Sequence, residues 1–352
     1  MAFVKTLDIL KHCAAKNYIV GAFNLNGLDQ PEALIKRAEE LGSPLLITEP
    51  GVIEPYVSFE QMAEVTYLAA KNRHVPVGLH LSHGDLGAVE RALKAGFTSV
   101  MYDGSKLDYE ENVRTTREAV KLGHSYGAAV EGELGALAAA AVGGEALTPT
   151  KDTMTDPSLA KDYAMRTGVD ILAVSIGNAH GLYHGKPNLD FQRLEQINSA
   201  LMSQDVYLTL HGGTGIPEDQ LKRSMRMGIV KVCIYTDMCV AGKKKAKAYV
   251  DQKPEYQGNF DICDLIGEVN KGFIDTMEVC MKMFSSIGRV HNDETLTLAD
   301  KKPVKMETTV FDDSTSSDKI VNHDIGPAAP SDPTLRPESA AAAQKLYWHK
   351  NV

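Results

Sequence analysis

Three of the eleven histidines in this 352-residue chain occur where they could act together. His83 follows the apolar run VPVGLHL, His180 lies in IGNAHG, and His211 ends the run in LTLHGGTG. Gly181 and Gly212 directly follow two of them, so backbone and a small ligand can approach closely there. Three neutral imidazoles with a vacant fourth position make a catalytic rather than a structural zinc site. An ion held this way can polarise a carbonyl and stabilise an enediolate without a lysine Schiff base. Singly, each histidine reads as an ordinary polar residue; the case rests on all three sharing one kind of position. His80, inside the same run as His83, reads as core or as a partner behind the ligands.

Two glycine-rich turns flank these histidines. Gly212-Gly213-Thr214-Gly215 precedes a helix opening near Pro217, and Tyr235-Thr236-Asp237 leads into another helical pattern. Amide groups left free at such turns suit an anion such as phosphate.

Those residues need elements to position them. Apolar, β-branched runs occur at 18–24, 44–49, 75–81, 98–103, 128–133, 171–177, 206–211 and 229–235, with helical patterns between them. Their near-continuous hydrophobicity suits parallel strands buried on both faces. Eight such β-α units predict an α/β fold, a (β/α)8 TIM barrel rather than an open sheet. Asn24, Glu49, His83, Asp103, Glu133, His180, His211 and Thr236 all fall at or just beyond strand ends. Closing the sheet would gather them at one mouth, where active sites of this fold lie. Residues 135–156 form a long small-residue loop, and 262–286 a long amphipathic helix that closes the barrel or packs on a sister subunit. We therefore place the barrel at 1–286 and an extended tail at 287–352, where Pro, Ser, Asp and Ala dominate.

The net charge of −9 disfavours nucleic acid as a partner, and no apolar run is long enough to span a bilayer. Five cysteines without a CxxC pair, and no secretory signal pattern, fit the cytoplasm.

The runs GAFNLNGLDQPEALIKRAEE, VPVGLHLSHG, VEGELG, GNAHGLYHGKPNLDFQRLEQI and LHGGTGIPEDQLKRSMRMGIVKV resemble the class II fructose-bisphosphate and tagatose-bisphosphate aldolases. The similarity covers about residues 3–285. It implies Zn2+ on His83, His180 and His211 with Glu133 near the metal, and a monovalent cation as a candidate companion. Asn24, Gly181, Gly212, Gly213, Thr214, Cys233, Tyr235 and Thr236 would bind a sugar or sugar-phosphate substrate. The resemblance also implies a cytoplasmic homodimer or homotetramer.

The departures concern proton transfer. The family's acid/base aspartate is Ser82 here, and a serine hydroxyl is a poor acid and a poor base at pH 7. Cys233 replaces an asparagine, Glu49 a serine or threonine, and His184 a lysine; the mobile-loop acid is missing or moved to Glu145. The expectation is a zinc-dependent aldolase or retro-aldolase acting on a ketose phosphate or related keto-sugar. Glu49 or Glu145 would exchange the protons, with Ser82 orienting the substrate. The alternatives are a zinc-dependent epimerase, isomerase or other carbon–carbon lyase, and a non-catalytic sugar-phosphate-binding relative.

Overall fold

The computed structural model describes residues 3–135, 138–139, 153–183, 185–255, 258 and 261–290. Eight parallel strands close into a barrel: β1 Val20–Asn24, β2 Leu45–Pro50, β3 Val77–Gly84, β4 Ser99–Tyr102, β5 Ala129–Leu134, β6 Ile171–Val174, β7 Tyr207–Leu210 and β8 Ile229–Ile234. Each strand pairs with its sequence neighbours, and β8 returns to β1 through Val20–Lys231 to Phe23–Ile234. The eight apolar runs of the sequence are these strands. Most differ from the sequence bounds by a residue or two; β6 is shorter by three, ending at Val174.

Five of the helices outside the barrel begin where the sequence supplies a capping side chain. Asp85, Asp108 and Asp190 accept from the backbone amides of Ala88, Glu111 and Arg193, opening α4 (Leu86–Ala95), α5 (Tyr109–Ser125) and α7 (Phe191–Leu201). Ser58 and Gln61 form a reciprocal capping box at α3 (Phe59–Ala70). Asp156 caps α6 (Pro157–Thr167), which carries proline in its first turn, as does α2 (Gln30–Glu40).

Strand parity sorts the core into two. Outward residues such as Leu45, Ile47, Leu79 and Leu81 pack under the helices. Inward residues Val20, Ala22, Leu46, Ala129 and Ile171 fill the barrel base, which α1 (Thr6–Lys16) seals with Ile9, Leu10 and Cys13. Because the base is packed, ligands would enter from the opposite, C-terminal mouth, where active sites of this fold lie.

After α8 (Glu218–Arg226), α9 (Thr236–Gln252) and α10 (Asp261–Met283) complete the ring. The long amphipathic helix expected near 262–286 is α10, with Phe273, Met277 and Met281 buried. It packs closely on α9: a Cβ on Gly272 would meet the carbonyl carbon of Ala241 at 2.6 Å. Most of the loop expected at 135–156, including Glu145, and the tail from 291 lie outside the described residues. Among the described residues, no helix is long and apolar enough to cross a membrane.

Gly272→Ala should push α10 from α9 at a cost of about 1–3 kcal/mol. A thermal melt would show Tm lowered by several degrees, whereas an unchanged Tm would mean the helices are not in this contact.

Candidate active site

The bases of the three histidines' positions differ, and each has its own device. On β3, His80 and Ser82 face the interior, so simple alternation would turn His83 outward. A register shift between Leu81 and Gly84 and a positive φ of 52° at His83 turn it into the mouth instead. A non-glycine residue in that conformation is strained, and such strain concentrates at working sites.

His180 departs from the sequence expectation in detail. It does not end β6 but lies six residues beyond Val174, in a two-residue pairing of Ala179–His180 with Ala138–Ala139. The loop holding it is cross-tied to the end of β7. Asn178 accepts from Ile176 N at 2.8 Å and donates to Val174 O and His211 O at 3.2 and 3.0 Å. Tyr183 Oη accepts from Ala179 N at 2.8 Å and donates to Gly212 O at 3.1 Å. Gly212, at φ 64°, lies so close to this loop that an added Cβ would fall 2.0 Å from Ala179 O. Only glycine fits there. His211 itself follows β7 directly, as the sequence reading expects.

These devices bring the three rings together, with centroids 4.9 Å (His83–His180), 4.7 Å (His83–His211) and 5.8 Å (His180–His211) apart. One nitrogen from each lies within 4.8 Å of the others, a set able to hold a metal ion. His83 Nδ1 donates to Asp103 Oδ2 at 2.9 Å, leaving Nε2 for a ligand. His211 Nε2 is taken by Glu131 Oε1 at 2.6 Å, leaving Nδ1. A carboxylate behind the imidazole, as at His83 and His211, is the usual support for a metal-bound histidine. The donor set therefore fits a divalent ion such as zinc. Asp103 and Glu133 could also join His83 in a second group able to hold one.

Burial lowers the pKa of His83 and His180, keeping them neutral and available as ligands. Burial would lower His211 too, but Cys233 and Glu131 outweigh it and push the ring up to about 10. Cys233 Sγ lies 3.8 Å from His211 Nε2. Burial raises the Asp103 carboxyl, yet hydrogen bonds from His83 and Ser105 win and hold it below the usual range.

At the glycine-rich turns, Thr214 Oγ1 accepts from Asp237 N at 3.2 Å, bringing the turn after β7 against the start of α9. Tyr235 Oη donates to Asn26 Oδ1 at 2.8 Å, joining the loops after β8 and β1. Ser82 Oγ and Asn24 Oδ1 are buried without a hydrogen-bond partner among the described residues. Both share the inward parity of His80 and Ala22, so they face the mouth.

Glu49 is placed differently. Its register partner is Leu81, in the layer under the helices, and the charges acting on it are those of Glu54 and Glu60. The structure does not bring it into the histidine cluster. Buried, with both oxygens unpartnered among the described residues, its carboxyl is pushed up to about 8 by desolvation and then by those two glutamates.

Two site residues escaped the sequence reading. Glu131 and Lys231, fully buried, lie two residues before Glu133 and Cys233 and thus face the same interior one layer down. A charged residue at alternate spacing within an apolar strand was the signal for both.

The match to the family model for class II fructose-bisphosphate aldolase spans residues 4–289. The chain belongs to that family. It is 34% identical over 292 residues to a "Probable fructose-bisphosphate aldolase" of Bacillus subtilis (strain 168), covering 81% of this chain and 99% of the relative. It is 34% identical over 257 residues to the D-tagatose-1,6-bisphosphate aldolase subunit GatY of Klebsiella oxytoca, covering 72% of this chain and 89% of that one. Its fold matches the YdjI aldolase of Escherichia coli K12 with a TM-score of 0.70 at 31% identity, covering 82% of this chain and all of that one. As a class II aldolase the chain is a carbon–carbon lyase of a metal-dependent family that acts on sugar phosphates.

Between about pH 4.5 and 8 the folded chain keeps a proton on Glu49 that the unfolded chain has lost, so this group's contribution to stability falls as pH rises through that window. Glu49→Gln should remove this dependence. Its Tm relative to the native protein should climb from pH 5 to pH 8 and level off above; a pH-independent difference would contradict the raised pKa.

Proposed function

We propose that this aldolase is zinc-dependent and cleaves or forms a carbon–carbon bond of a ketose phosphate or related keto-sugar. The observation that carries this reading is the convergence of His83, His180 and His211, two of them backed by carboxylates. Zinc bound there would supply Lewis-acid polarisation of the substrate carbonyl. Glu133, on the same inward face of β5, would stand beside the ion; a monovalent cation remains part of the reading as a companion.

The chain's own residues would bind and orient. Gly181, Gly212, Gly213 and Thr214 offer close backbone approach to a phosphate, with Tyr235 and Thr236 closing the β8 side. Asn24 Oδ1 would accept from a substrate hydroxyl, and Ser82 Oγ can donate to one and accept from another; neither atom has a hydrogen-bond partner among the described residues. Cys233 lines the floor beside His211.

Ser82 cannot exchange a proton at neutral pH as a carboxylate would. We assign that exchange to Glu145 rather than Glu49. The support is positional: Glu49 shares the helix-facing side of the sheet with Leu81, whereas Glu145 stands in the sequence next to the Gly143-Gly144 pair, between β5 and α6. The chain would work as a cytoplasmic homodimer or homotetramer, as the family resemblance implies.

Removing metal with a chelator should abolish turnover in a screen of ketose phosphates and keto-sugars with product masses recorded, and zinc should restore it. Full activity in rigorously metal-free protein would refute the assignment. Ser82→Asp should gain activity on fructose or tagatose bisphosphate, measured as kcat/KM; no gain would mean that more of the pocket than this position has been rebuilt.

A further inference from the structure

Beneath the histidines, the barrel interior holds a run of polar groups in which the donors can be assigned one by one. Lys231, Glu131 and His80 are fully buried. An ammonium only donates, so at 3.1 Å from Lys231 Nζ the Nε2 of His80 must accept. The His80 proton then sits on Nδ1, which donates to Ser99 Oγ at 2.9 Å. Ser99 donates to Thr6 Oγ1 at 2.8 Å, Thr6 to Thr98 Oγ1 at 2.9 Å, and Thr98 to Leu79 O at 3.0 Å. Each hydroxyl gives its proton once, and the run ends on α1 and β3 at the barrel base. Lys231 is thereby held from below.

From above, Lys231 Nζ donates to Glu131 Oε2 at 2.6 Å, and Glu131 Oε1 lies 2.6 Å from His211 Nε2. Beside the ammonium the carboxylate is ionised and can only accept. The proton that His211 keeps when an ion displaces the other therefore belongs on Nε2, and Nδ1 is the nitrogen that gives its lone pair to the ion.

We propose that Glu131 and Lys231 are positioning residues for the metal. Lys231, fixed by His80 and the hydroxyl run, locks the Glu131 carboxylate, and Glu131 holds His211 in the one tautomer that presents Nδ1 to the ion. The proposal rests on the zinc reading above. It also gives the pair a purpose that packing does not, since apolar side chains of similar size could fill the same space.

Removing one partner would strand a buried charge, so the test removes both. Zinc affinity of the full chain is measured by competition with a chromophoric chelator, alongside the Tm of each metal-free protein. Lys231→Met with Glu131→Leu leaves His211 Nε2 only the weak Cys233 sulfur as an acceptor and should weaken zinc binding about 10–100-fold. Lys231→Met with Glu131→Gln keeps a carbonyl acceptor and the side-chain shapes, and should recover part of that loss. This second variant also tests the idea if the first does not fold, because losing the anion should still weaken zinc several-fold. Zinc affinity within twofold of native in either folded variant, with only Tm changed, would overturn the proposal and leave the pair a purely structural role. Native protein that binds no zinc would instead overturn the functional reading, and this proposal with it.

Discussion

The carboxylate of Glu131 has no access to water, and much of the site's order follows from how it is satisfied. A buried anion must be neutralised and hydrogen-bonded. Lys231 supplies the charge from β8, and His211 supplies the second donor from just past β7. Three sectors of the barrel are thus held in register by one side chain on β5. Lys231 in turn faces His80 on β3, so the contact spans the barrel interior rather than one strand pair.

Above that layer the geometry is set by backbone rather than charge. The bulge at Leu81–Gly84 and the left-handed turn at His83 aim one imidazole. The loop of Asn178 to Tyr183, tied to His211 and Gly212, aims another. These are costly local arrangements: a strained φ in the first case, and in the second a backbone approach that excludes any Cβ at Gly212. They persist because the surrounding barrel is rigid and fully packed. The same packing holds Ser82 Oγ and Asn24 Oδ1 at the mouth without partners among the described residues, a desolvation cost that a hydroxylated substrate would offset.

Glu49 shows how a neighbour in sequence can be remote in chemistry. It stands at the end of β2, one residue from Pro50, which pairs with Ser82. Alternation nonetheless puts it on the other face of the sheet from Ser82, against α3 and near Glu54 and Glu60. There it is a buried acid that keeps its proton, and the usual chemistry of a surface carboxylate does not apply.

The linear chain determined the barrel and much of the candidate site. Eight apolar runs separated by capped helical patterns leave little choice of architecture, because buried parallel strands need continuous hydrophobicity and crossover helices. The motifs around His83, His180 and His211 marked the chemistry for the same reason: few sites need imidazoles and glycines side by side. Alternation along β5 and β8 also carried the positions of Glu131 and Lys231, although their role needed a partner across the barrel. What only the tertiary structure decided was direction. Nothing local announces that a bulge turns His83 inward, that His180 sits in a loop beyond its strand, or that Glu49 faces away. Each depends on register between strands far apart in sequence, and register is settled by closure of the whole sheet.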